Sequence, residues 1–247
     1  MQAIILAAGV GERLGAATAG KPKSLLEMGD TSLLLRHCRA LRALGIDMIH
    51  VVTGFSADLI DAEIATLPDP ARIHRMINKD FRLGSVISLW TARDVLRSGE
   101  PVILMDADVL CDTRILARLA GTSVANCFLL DRDFDPGDEP VKLCVRDGQI
   151  VEFRKQLAAG LECDLQGESV GFFRFAPAMA AALAARCEEY VSQGLVREPY
   201  EEAIRDLVLG APAEFGYEDI TGLPWIEIDF PGDVARARDE ILPRISA

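Results

Sequence analysis

Acidic residues follow two apolar runs that lie far apart in the chain. Asp106 and Asp108 end one run, and Glu227 and Asp229 repeat the same spacing near the carboxyl terminus. If the chain stays extended, alternate side chains point to the same side of a strand, so the two acids of each pair lie together. Magnesium takes oxygen ligands and keeps several waters, so one or two carboxylates plus substrate phosphates complete a site. The pattern predicts a Mg²⁺ site built on Asp106 and Asp229, with Asp108 beside them.

A glycine-bearing loop near the amino terminus has the composition of a triphosphate cradle. It comprises residues 6–14 and 21–26 and carries two cations, Arg13 and Lys23. Glycines and small side chains let the backbone approach a base and phosphates, while the cations reach phosphate oxygens. We therefore predict Lys23 and Arg13 as the catalytic residues. The predicted nucleotide contacts in this loop are Leu6, Ala7, Ala8, Gly9 and Gly11.

Three other interpretations of this loop compete with the triphosphate cradle. A dinucleotide-binding loop needs its third glycine one place before Gly15, and an acid at the end of the second strand, where Thr53 and Gly54 stand. A P-loop starting at Gly15 would have Pro22, which lacks an amide hydrogen, in place of its magnesium-binding Ser or Thr. The third alternative is a loop that merely turns a corner with its cations in solvent.

The order of secondary-structure elements predicts how these residues are positioned. Short apolar runs at 2–7, 48–53, 73–77 and 102–105 predict buried strands. Strands that alternate with helices indicate a mostly parallel sheet covered on both faces, with ligands at the carboxyl ends of its strands. The residues predicted to cap the intervening helices are Asp30 or Thr31, Ser56, and Ser85 for a helix to about residue 96.

The second half of the chain shows a different pattern. Residues 125–175 predict short strands and hairpins, including strands at 142–145 and 150–153 around a turn at 146–148. The remaining predicted elements are helices at 177–193 and 200–209, a strand at 225–229 and a helix that begins with Pro231.

Composition excludes several classes of function. The 247 residues include 26 Lys and Arg and 38 Asp and Glu, which gives a formal net charge of −12. A protein with this net negative charge repels the phosphate backbone of nucleic acids. Six cysteines form no Cys-x-x-Cys pair, and the apolar start lacks the basic flank of a secretory signal, so we expect reduced thiols in the cytoplasm. No apolar stretch approaches the roughly 20 residues that cross a bilayer, so no membrane partner is expected.

Several segments resemble one enzyme superfamily. The loop 6–26 resembles the signature of nucleotidyltransferases that make activated sugars and alcohols from a nucleoside triphosphate and a phosphorylated acceptor. Residues 78–90 look like the start of the third helix in phosphocholine cytidylyltransferases. Residues 142–148 are similar to the acceptor half of inositol-phosphate cytidylyltransferases, and 224–229 resemble the closing motif of both. The resemblance implies a three-layer α/β/α sandwich with a mostly parallel sheet and a small β-rich elaboration for the acceptor.

The same resemblance implies how the chain is divided and what it binds. We expect a single domain, 1–247, with a nucleotide-binding half at 1–124 and an acceptor-binding half at 125–247. CTP is the implied nucleotide, and a CDP-alcohol or CDP-phosphonate plus pyrophosphate are the implied products. Further implied nucleotide contacts are Gly84, Ser85, Ser88 and Asp106.

Residues of the second half are candidates for the acceptor site. Carboxylates and aromatic faces together recognise cations, as an amine-bearing acceptor would require. Aromatic residues in strands are more often core, however, and the five acids of segment 131–139 are more often a solvated loop. The candidate aromatic wall is Phe172, Phe173, Tyr200, Phe215, Tyr217 and Trp225. The predicted acceptor contacts are Lys142, Lys155, Glu168, Glu198, Tyr200 and Glu201.

Together these observations predict a Mg²⁺-dependent cytidylyltransferase. It would transfer CMP from CTP to a small phosphorylated alcohol or phosphonate, phosphocholine-like or 2-aminoethylphosphonate-like, as in the related aminoalkylphosphonate enzymes. A phosphate acceptor has a second pKa of about 6 and is ionised without a protein base, which agrees with the lack of any histidine motif. Two alternatives are a sugar-1-phosphate nucleotidyltransferase that uses UTP, GTP or dTTP, and a nucleotide-sensing domain without turnover.

Overall fold

A computed structural model of the chain describes residues 1–18, 20–135 and 137–245. Ala19 of the glycine-bearing loop and Pro136 of the acidic segment 131–139 lie outside the described residues, as do positions 246 and 247. Across the described ranges, no helix combines the length and the apolar character that a membrane span requires.

The strands and helices follow the predicted order closely. The strands are β1 Gln2–Ala7, β2 Glu27–Met28, β3 Thr31–Ser32, β4 Ile49–Thr53, β5 Ile73–Ile77, β6 Val102–Asp106, β7 Val109–Cys111, β8 Cys127–Asp131, β9 Lys142–Arg146, β10 Gln149–Arg154, β11 Leu165–Phe175, β12 Gly216–Asp219 and β13 Trp225–Glu227. The α-helices are α1 Leu33–Ala43, α2 Ala57–Ile64, α3 Ser85–Thr91, α4 Arg93–Leu96, α5 Thr113–Gly121, α6 Pro177–Ser192, α7 Tyr200–Gly210 and α8 Pro231–Arg236.

One mixed sheet of nine strands forms the centre of the fold. Its order is β10-β9-β11-β6-β1-β4-β5, and β8 and β12 join it through β11. The strands β6, β1, β4 and β5 are parallel, as the alternation of strands and helices predicts. The long strand β11 runs antiparallel to β6 and also pairs with β8 and β9. Through β11, the β-rich second half continues the sheet of the first half.

Helices cover both faces of this sheet, which confirms the predicted α/β/α sandwich. The residues of α3, α4, α6 and α7 pack into one hydrophobic core, and those of α1, α2 and α5 into the core of the opposite face. Three phenylalanines, Phe153, Phe173 and Phe215, pack edge-on or tilted around Phe128 within the first core, with ring centroids 5.0–6.0 Å from that of Phe128. Burial of this aromatic group stabilises the junction between the parallel strands and the β-rich extension.

Two predicted helix caps are wrong. Ser32, rather than Asp30 or Thr31, caps α1, and its Oγ accepts the amide of Leu35 at 3.2 Å. Both Thr31 and Ser32 pair in the β2–β3 hairpin, but Ser32 directly precedes the first helical residue, Leu33, so its hydroxyl is the one that reaches the free amide of Leu35. Gly84 is the N-cap of α3, and the hydroxyl of Ser85 instead accepts the amide of Tyr200 at 2.9 Å because α7 docks there. The predicted single helix is also divided at residue 92 into α3 and α4.

The predicted hairpin in the second half is confirmed. Strands β9 and β10 pair antiparallel, and Asp147 and Gly148 at their turn have φ values of 50° and 75°. Positive φ at both central turn residues matches the twist of the strands that they join.

A third, smaller core joins three distant parts of the chain. Leu14 of the glycine-bearing loop, Leu110 of β7, and Ile226 and Ile228 around β13 pack together in it. Strands β7 and β13 pair antiparallel, with Ile226 opposite Leu110. This small core therefore brings the carboxyl-terminal acids, the acids after β6 and the glycine-bearing loop to one place.

Candidate functional site

Three carboxylates meet beyond the end of β6. Asp108, Glu227 and Asp229 each place an oxygen within 4.8 Å of the other two. The pairing of β7 with β13 sets this arrangement, and the amide of Ile228 donates to the carbonyl of Asp108 at 3.0 Å. Sequence reasoning did not assign Glu227, although its spacing from Asp229 repeats that of the first acidic pair. Asp106, predicted as a metal ligand, is not a member of this carboxylate cluster.

Lys23 lies against two of the three carboxylates. Its Nζ is 3.2 Å from Oδ2 of Asp108 and also donates a short hydrogen bond to Oδ1 of Asp229. The stem of Lys23 packs on Gly11, where an added Cβ would lie 2.7 Å from Cγ of the lysine. Gly11 has a φ of +68°, a conformation that glycine adopts without strain. The loop backbone therefore fixes the position of the Lys23 ammonium.

A second cation approaches the cluster from the same loop. Nη1 of Arg13 is 3.1 Å from Oδ2 of Asp229 and 3.0 Å from Oε2 of Glu139. The same Glu139 oxygen is 3.3 Å from Nζ of Lys155. Glu139 thus bridges a cation of the first half and a cation of the second half across the mouth of the site.

The charges of the cluster shift one another's ionisation. Burial, followed by the charges of Asp108 and Asp229, raises the pKa of Glu227 to about 8. Burial also opposes ionisation of Asp229, but the hydrogen bond and charge of Lys23 outweigh it and lower the pKa of this carboxyl. Burial disfavours the Lys23 ammonium, yet the two aspartates raise the pKa of Lys23 overall. The cluster is therefore a site whose negative charge a bound cation would stabilise.

Two adjoining cavities flank the carboxylate cluster. The first, of about 320 Å³, is lined by the glycine-bearing loop, and the second, of about 250 Å³, lies on the side of α3. Leu6, Gly9 and Asp108 line both cavities, so the two are continuous past the end of β1. We call them the loop cavity and the helix cavity. The loop cavity is also lined by Ala7, Gly11, Arg13, Lys23 and Asp229, and the helix cavity by Ala8, Ser85, Ser88, Asp106, Tyr200 and Glu201.

The predicted nucleotide contacts at α3 lie on this helix cavity or directly behind it. A Cβ on Gly84 would lie 2.3 Å from the backbone of Arg197, so only glycine lets α3 approach that loop. Ser88 accepts a hydrogen bond from Nδ2 of Asn78 at 3.0 Å. The backbone carbonyl of Glu198 accepts the amide of Val86 at 3.2 Å, which places Glu198 beside the helix start. Glu198, predicted as an acceptor contact, is not among the described residues that line the cavities around the carboxylate cluster.

Asp106 faces the helix cavity and is held by Tyr200. The Tyr200 hydroxyl donates to Oδ2 of Asp106 at 2.6 Å, and a Cβ on Gly171 would lie 2.5 Å from the same oxygen. Burial and the charges of Asp108 and Glu201 raise the pKa of Asp106 well above its usual range. Asp106 and Tyr200, predicted as a metal ligand and an acceptor contact, thus lie together on the helix cavity.

Lys142 occupies a structural position. Its side chain is buried, and Nζ donates to the carbonyls of Gly137, Pro140 and Lys155 at 2.5, 3.3 and 2.6 Å. An ammonium has three donors, so these bonds use all of them. The predicted grip of Lys142 on the acceptor is corrected accordingly: this cation ties the loop before β9 to the end of β10. Lys155 remains half exposed beside Glu139.

An acidic pocket of about 520 Å³ opens next to the cluster, and all five acids of the segment 131–139 line it. Nε1 of Trp225 donates to Oδ2 of Asp131 at 2.7 Å, so ring and carboxylate are held side by side. Burial and the charge of Asp131 raise the pKa of Glu168, which also lines the pocket, to about 7. Glu227 and Asp229 form the border with the carboxylate cluster. Phe172, Phe173 and Phe215 of the predicted aromatic wall instead belong to the hydrophobic cores.

Glu201 lies between the helix cavity and a further cavity of about 600 Å³ that Lys155 and Arg205 also line. Its Oε2 is buried and has no hydrogen-bond partner among the described residues. Burial raises the pKa of Glu201. A buried carboxylate oxygen without a donor favours a ligand that supplies one.

Comparison with known proteins agrees with this geometry. Residues 3–171 match the family model described as the MobA-like NTP transferase domain. A CMP-5'-(3-aminopropyl)phosphonate synthase of Streptomyces rubellomurinus is 25% identical over 96% of this chain and 38% of its own length. A bifunctional IPC transferase and DIPP synthase of Rubrobacter xylanophilus is 29% identical over 97% of this chain and 52% of its length. The chain thus spans about half or less of these curated relatives.

Solved structures show the same fold. The CTP:phosphocholine cytidylyltransferase of Streptococcus pneumoniae superposes with a TM-score of 0.74 at 17% identity, over 96% of this chain and 97% of the other. The inositol-1-phosphate CTP transferase of T. maritima gives a TM-score of 0.75 at 18% identity, over 100% and 98%. Because the family model covers more than half of the sequence, the chain belongs to the MobA-like NTP transferase domain family.

Proposed function

We propose that the protein is a cytidylyltransferase that transfers CMP from CTP to a small phosphorylated or phosphonate acceptor carrying an amine, with release of pyrophosphate. The observation that carries this proposal is the position of Lys23 and the carboxylate cluster. They lie between the loop cavity on one side and the acidic pocket on the other. The cluster therefore adjoins both a space suited to a triphosphate and a space suited to a cation.

The carboxylate cluster fits Mg²⁺. Three carboxylates with oxygens within 4.8 Å of one another are the hard ligands that this ion prefers, and one of them, Glu227, has its pKa raised to about 8 by burial and by its acidic neighbours. We propose Asp108, Glu227 and Asp229 as the residues that would hold it, with Asp106 behind them. When bound, Mg²⁺ would neutralise negative charge on the phosphates.

Lys23 and Arg13 supply the remaining positive charge. In the transfer, an acceptor oxygen forms a bond to the α-phosphorus of CTP, and the bond to the oxygen that bridges the α- and β-phosphorus breaks. The electron pair leaves with pyrophosphate, so negative charge grows on the leaving group. Both cations reach the loop cavity and now pair with Asp229. They can exchange this carboxylate for phosphate oxygens when the nucleotide binds.

No protein base is needed at the attacking oxygen. A phosphate or phosphonate acceptor is ionised near neutral pH, with a second pKa of about 6 for a phosphate. The site must then hold the two reactants in line and stabilise charge. Lys155 stands at the border of the halves beside Glu139 and is our candidate for contacting the acceptor's anionic group.

The acidic pocket supports an amine-bearing acceptor. Asp131 and Glu168 are carboxylates at the pocket wall, and the Trp225 ring is held beside Asp131. A cation next to an indole face and two carboxylates gains both cation–π and ionic attraction. Relatives named for an aminopropylphosphonate and for phosphocholine support the same chemistry.

The helix cavity is our candidate for the cytosine. Leu6, Ala8 and Gly9 line it together with Ser85 and Ser88, and their backbone and hydroxyl groups are suited to reading the edge of a base. The names of the relatives support CTP as the donor. We propose that residues 1–124 supply most nucleotide contacts and 125–247 most acceptor contacts, with Tyr200 and Glu201 of the second half lining the base side.

A pyrophosphate-release screen tests the proposal. ATP, CTP, GTP, UTP and dTTP are each combined with phosphocholine, 2-aminoethylphosphonate, inositol-1-phosphate, glucose-1-phosphate and mannose-1-phosphate, with Mg²⁺ present. We expect turnover with CTP and an amine-bearing acceptor. Turnover with a sugar phosphate and another nucleotide would instead establish a sugar nucleotidyltransferase. This is the main alternative because the mannose-1-phosphate guanylyltransferase of Dictyostelium discoideum is 28% identical over 45% of this chain and 32% of its own length. Nucleotide binding without turnover would establish a sensing domain.

A further inference from the structure

A cavity of about 490 Å³ lies between α1 and α5, with strand β7 as its floor. Helices α1 and α5 cover the face of the sheet opposite to α3 and α7, so this cavity is separate from the two that flank the carboxylate cluster. Its volume is in the range of small-molecule sites in proteins. We call it the α1–α5 cavity.

The walls of the α1–α5 cavity are mainly apolar. The lining residues include Ala40 of α1, Leu44 directly after it, Val109 of β7, and Leu116 and Ala117 of α5. Leu44 exposes 38% of its surface, which is high for a large aliphatic residue. Apolar surface left open in this way favours a ligand that removes it from water.

Two polar atoms at the buried end of the cavity have no partner. Nε2 of His37 and Oγ1 of Thr31 are both buried and form no hydrogen bond within the described residues, although the residues are only 3% and 7% exposed. An unpaired buried polar atom costs about 1–3 kcal/mol. Their presence in an otherwise apolar cavity therefore indicates groups kept for a bound molecule.

The chemistry of His37 defines what the buried end accepts. Burial lowers the pKa of His37 to about 4, so the ring is neutral at pH 7. The ring bonds the backbone of Val109, and since Nε2 is unpartnered, that bond involves Nδ1. Nε2 is then a free acceptor. A ligand must present an N–H or O–H donor to it.

The mouth of the cavity carries positive charge in an acidic protein. Arg36, Arg39 and Arg114 line it, with Asp30 as the acid that faces them. Arg36 is bound to the carbonyl of Met28 and Arg114 to Asp112. Arg39 is exposed and has no ion-pair partner among the residues that the structure describes. One cation thus remains available for an anionic group.

From these features we infer that the α1–α5 cavity binds a small organic anion that has an apolar body, a hydrogen-bond donor at its buried end and a carboxylate or sulfonate-like group at the mouth. The floor strand β7 starts directly after Asp108 and pairs with β13, which carries Glu227. The ligand would therefore rest on the strand that positions two members of the carboxylate cluster.

The dye 6-(p-toluidino)naphthalene-2-sulfonate is a suitable probe because its apolar naphthalene ring separates one N–H donor from one sulfonate. We expect its fluorescence to rise with saturable, one-to-one binding to the folded wild-type protein. 10-Hydroxydecanoate, which carries an O–H donor at the end opposite to its carboxylate, should displace the dye at lower concentration than 10-aminodecanol. The net charge of −12 favours the amine everywhere else on the surface, so a preference for hydroxydecanoate reports the local cation.

Three variants locate the probe. Ala40→Phe, which fills the cavity, and Arg39→Glu should each weaken dye binding by at least about tenfold, equivalent to losing one charge-assisted or well-packed contact. Thr31→Val should weaken binding and raise the melting temperature, because it removes an unpaired buried hydroxyl from the free protein. The matched controls are Ala178→Phe, at an exposed position of α6, and Arg238→Glu, which makes the same change of charge as Arg39→Glu at an exposed position near the carboxyl terminus.

Several outcomes would overturn the inference. These are unsaturable binding, equal affinity in Ala40→Phe and wild type, or displacement by 10-aminodecanol ahead of 10-hydroxydecanoate. A change of oligomeric state in Arg39→Glu, measured by sedimentation, would mean that a second copy covers the cavity and would also overturn it. Excess CTP with Mg²⁺ should not compete with the dye. Competition would place the dye in the catalytic site and contradict a separate cavity.

Discussion

The contact between Gly11 and Lys23 gives a graded test of the proposed catalytic role of this lysine. In Gly11→Ala, the added Cβ would lie 2.7 Å from Cγ of Lys23, whereas ordinary contact begins near 3.4 Å. The lysine stem must therefore move by about 0.7 Å. A displacement of about 1 Å in a catalytic group can cost about 10²-fold in rate. We expect kcat/KM to fall by about 10- to 100-fold.

The same substitution also strains the backbone, so a matched control is needed. Gly11 has a φ of +68° and Gly45, which follows α1, has +75°, but a Cβ on Gly45 meets no described atom within 4 Å. Each alanine should cost about 1–2 kcal/mol of unfolding free energy through its left-handed conformation. In a chain of this size each kcal/mol lowers the melting temperature by about 2–4 °C. Gly45→Ala should share this loss of stability and keep wild-type kcat/KM.

Pyrophosphate release, with the best acceptor from the nucleotide screen, measures the effect. The decisive comparison places Gly11→Ala in a Lys23→Met background, where the displaced ammonium is already absent. There the alanine should change kcat/KM by less than about twofold, since contacting residues are non-additive when one acts through the other. A further drop of tenfold or more in that background would show that Gly11 acts through something other than Lys23.

Three more substitutions test other parts of the structure. Asp229→Asn removes the charge that both Lys23 and Arg13 contact, so pyrophosphate release should fall at least about 100-fold while circular dichroism stays native; retained turnover would remove Asp229 from the site. Burial raises the pKa of Glu168 from 4.5 to about 7 in the folded protein. Between these two pH values the folded state binds a proton that the unfolded state has lost, so the contribution of Glu168 to stability falls as the pH rises from about 4.5 to 7. Ionised Glu168 should attract an amine, so KM for the acceptor should fall as pH rises through 7, and Glu168→Gln should flatten that profile, whereas Glu240→Gln should not. Phe128→Ala should cost about 3–5 kcal/mol of unfolding free energy in urea denaturation, against less than about 0.5 kcal/mol for the exposed Leu195→Ala; equal costs would contradict the aromatic core.

The grouping of the glycine-bearing loop with its two cations was predictable because it is local in sequence. A strand, the loop and both cations occur within residues 2–26, so composition and order already predict that they lie together. The structure places Gly11, Arg13 and Lys23 on one cavity. The acids after β6 were found in the same way, since a strand that ends in carboxylates is visible in a few residues.

The grouping of the acids was not predictable. Spacing alone makes Asp106 and Asp108 equivalent, but Tyr200 and the backbone of Gly171 direct Asp106 towards the helix cavity, while the pairing of β7 with β13 brings Asp108 to Glu227 and Asp229. Lys142 failed as an acceptor contact for a similar reason. Whether a lysine faces a ligand or three backbone carbonyls depends on loops that no local pattern describes.

By itself, the sequence determined the class of fold, the sign of the surface charge and the residue types available for phosphate chemistry, because periodicity, net charge and short motifs need only neighbouring residues. Tertiary structure alone decided which carboxylates share one site, which cations remain free and where cavities lie. These properties depend on contacts between residues as much as 216 positions apart, such as Arg13 with Asp229. Burial and strand pairing, rather than residue type, set their geometry and their ionisation.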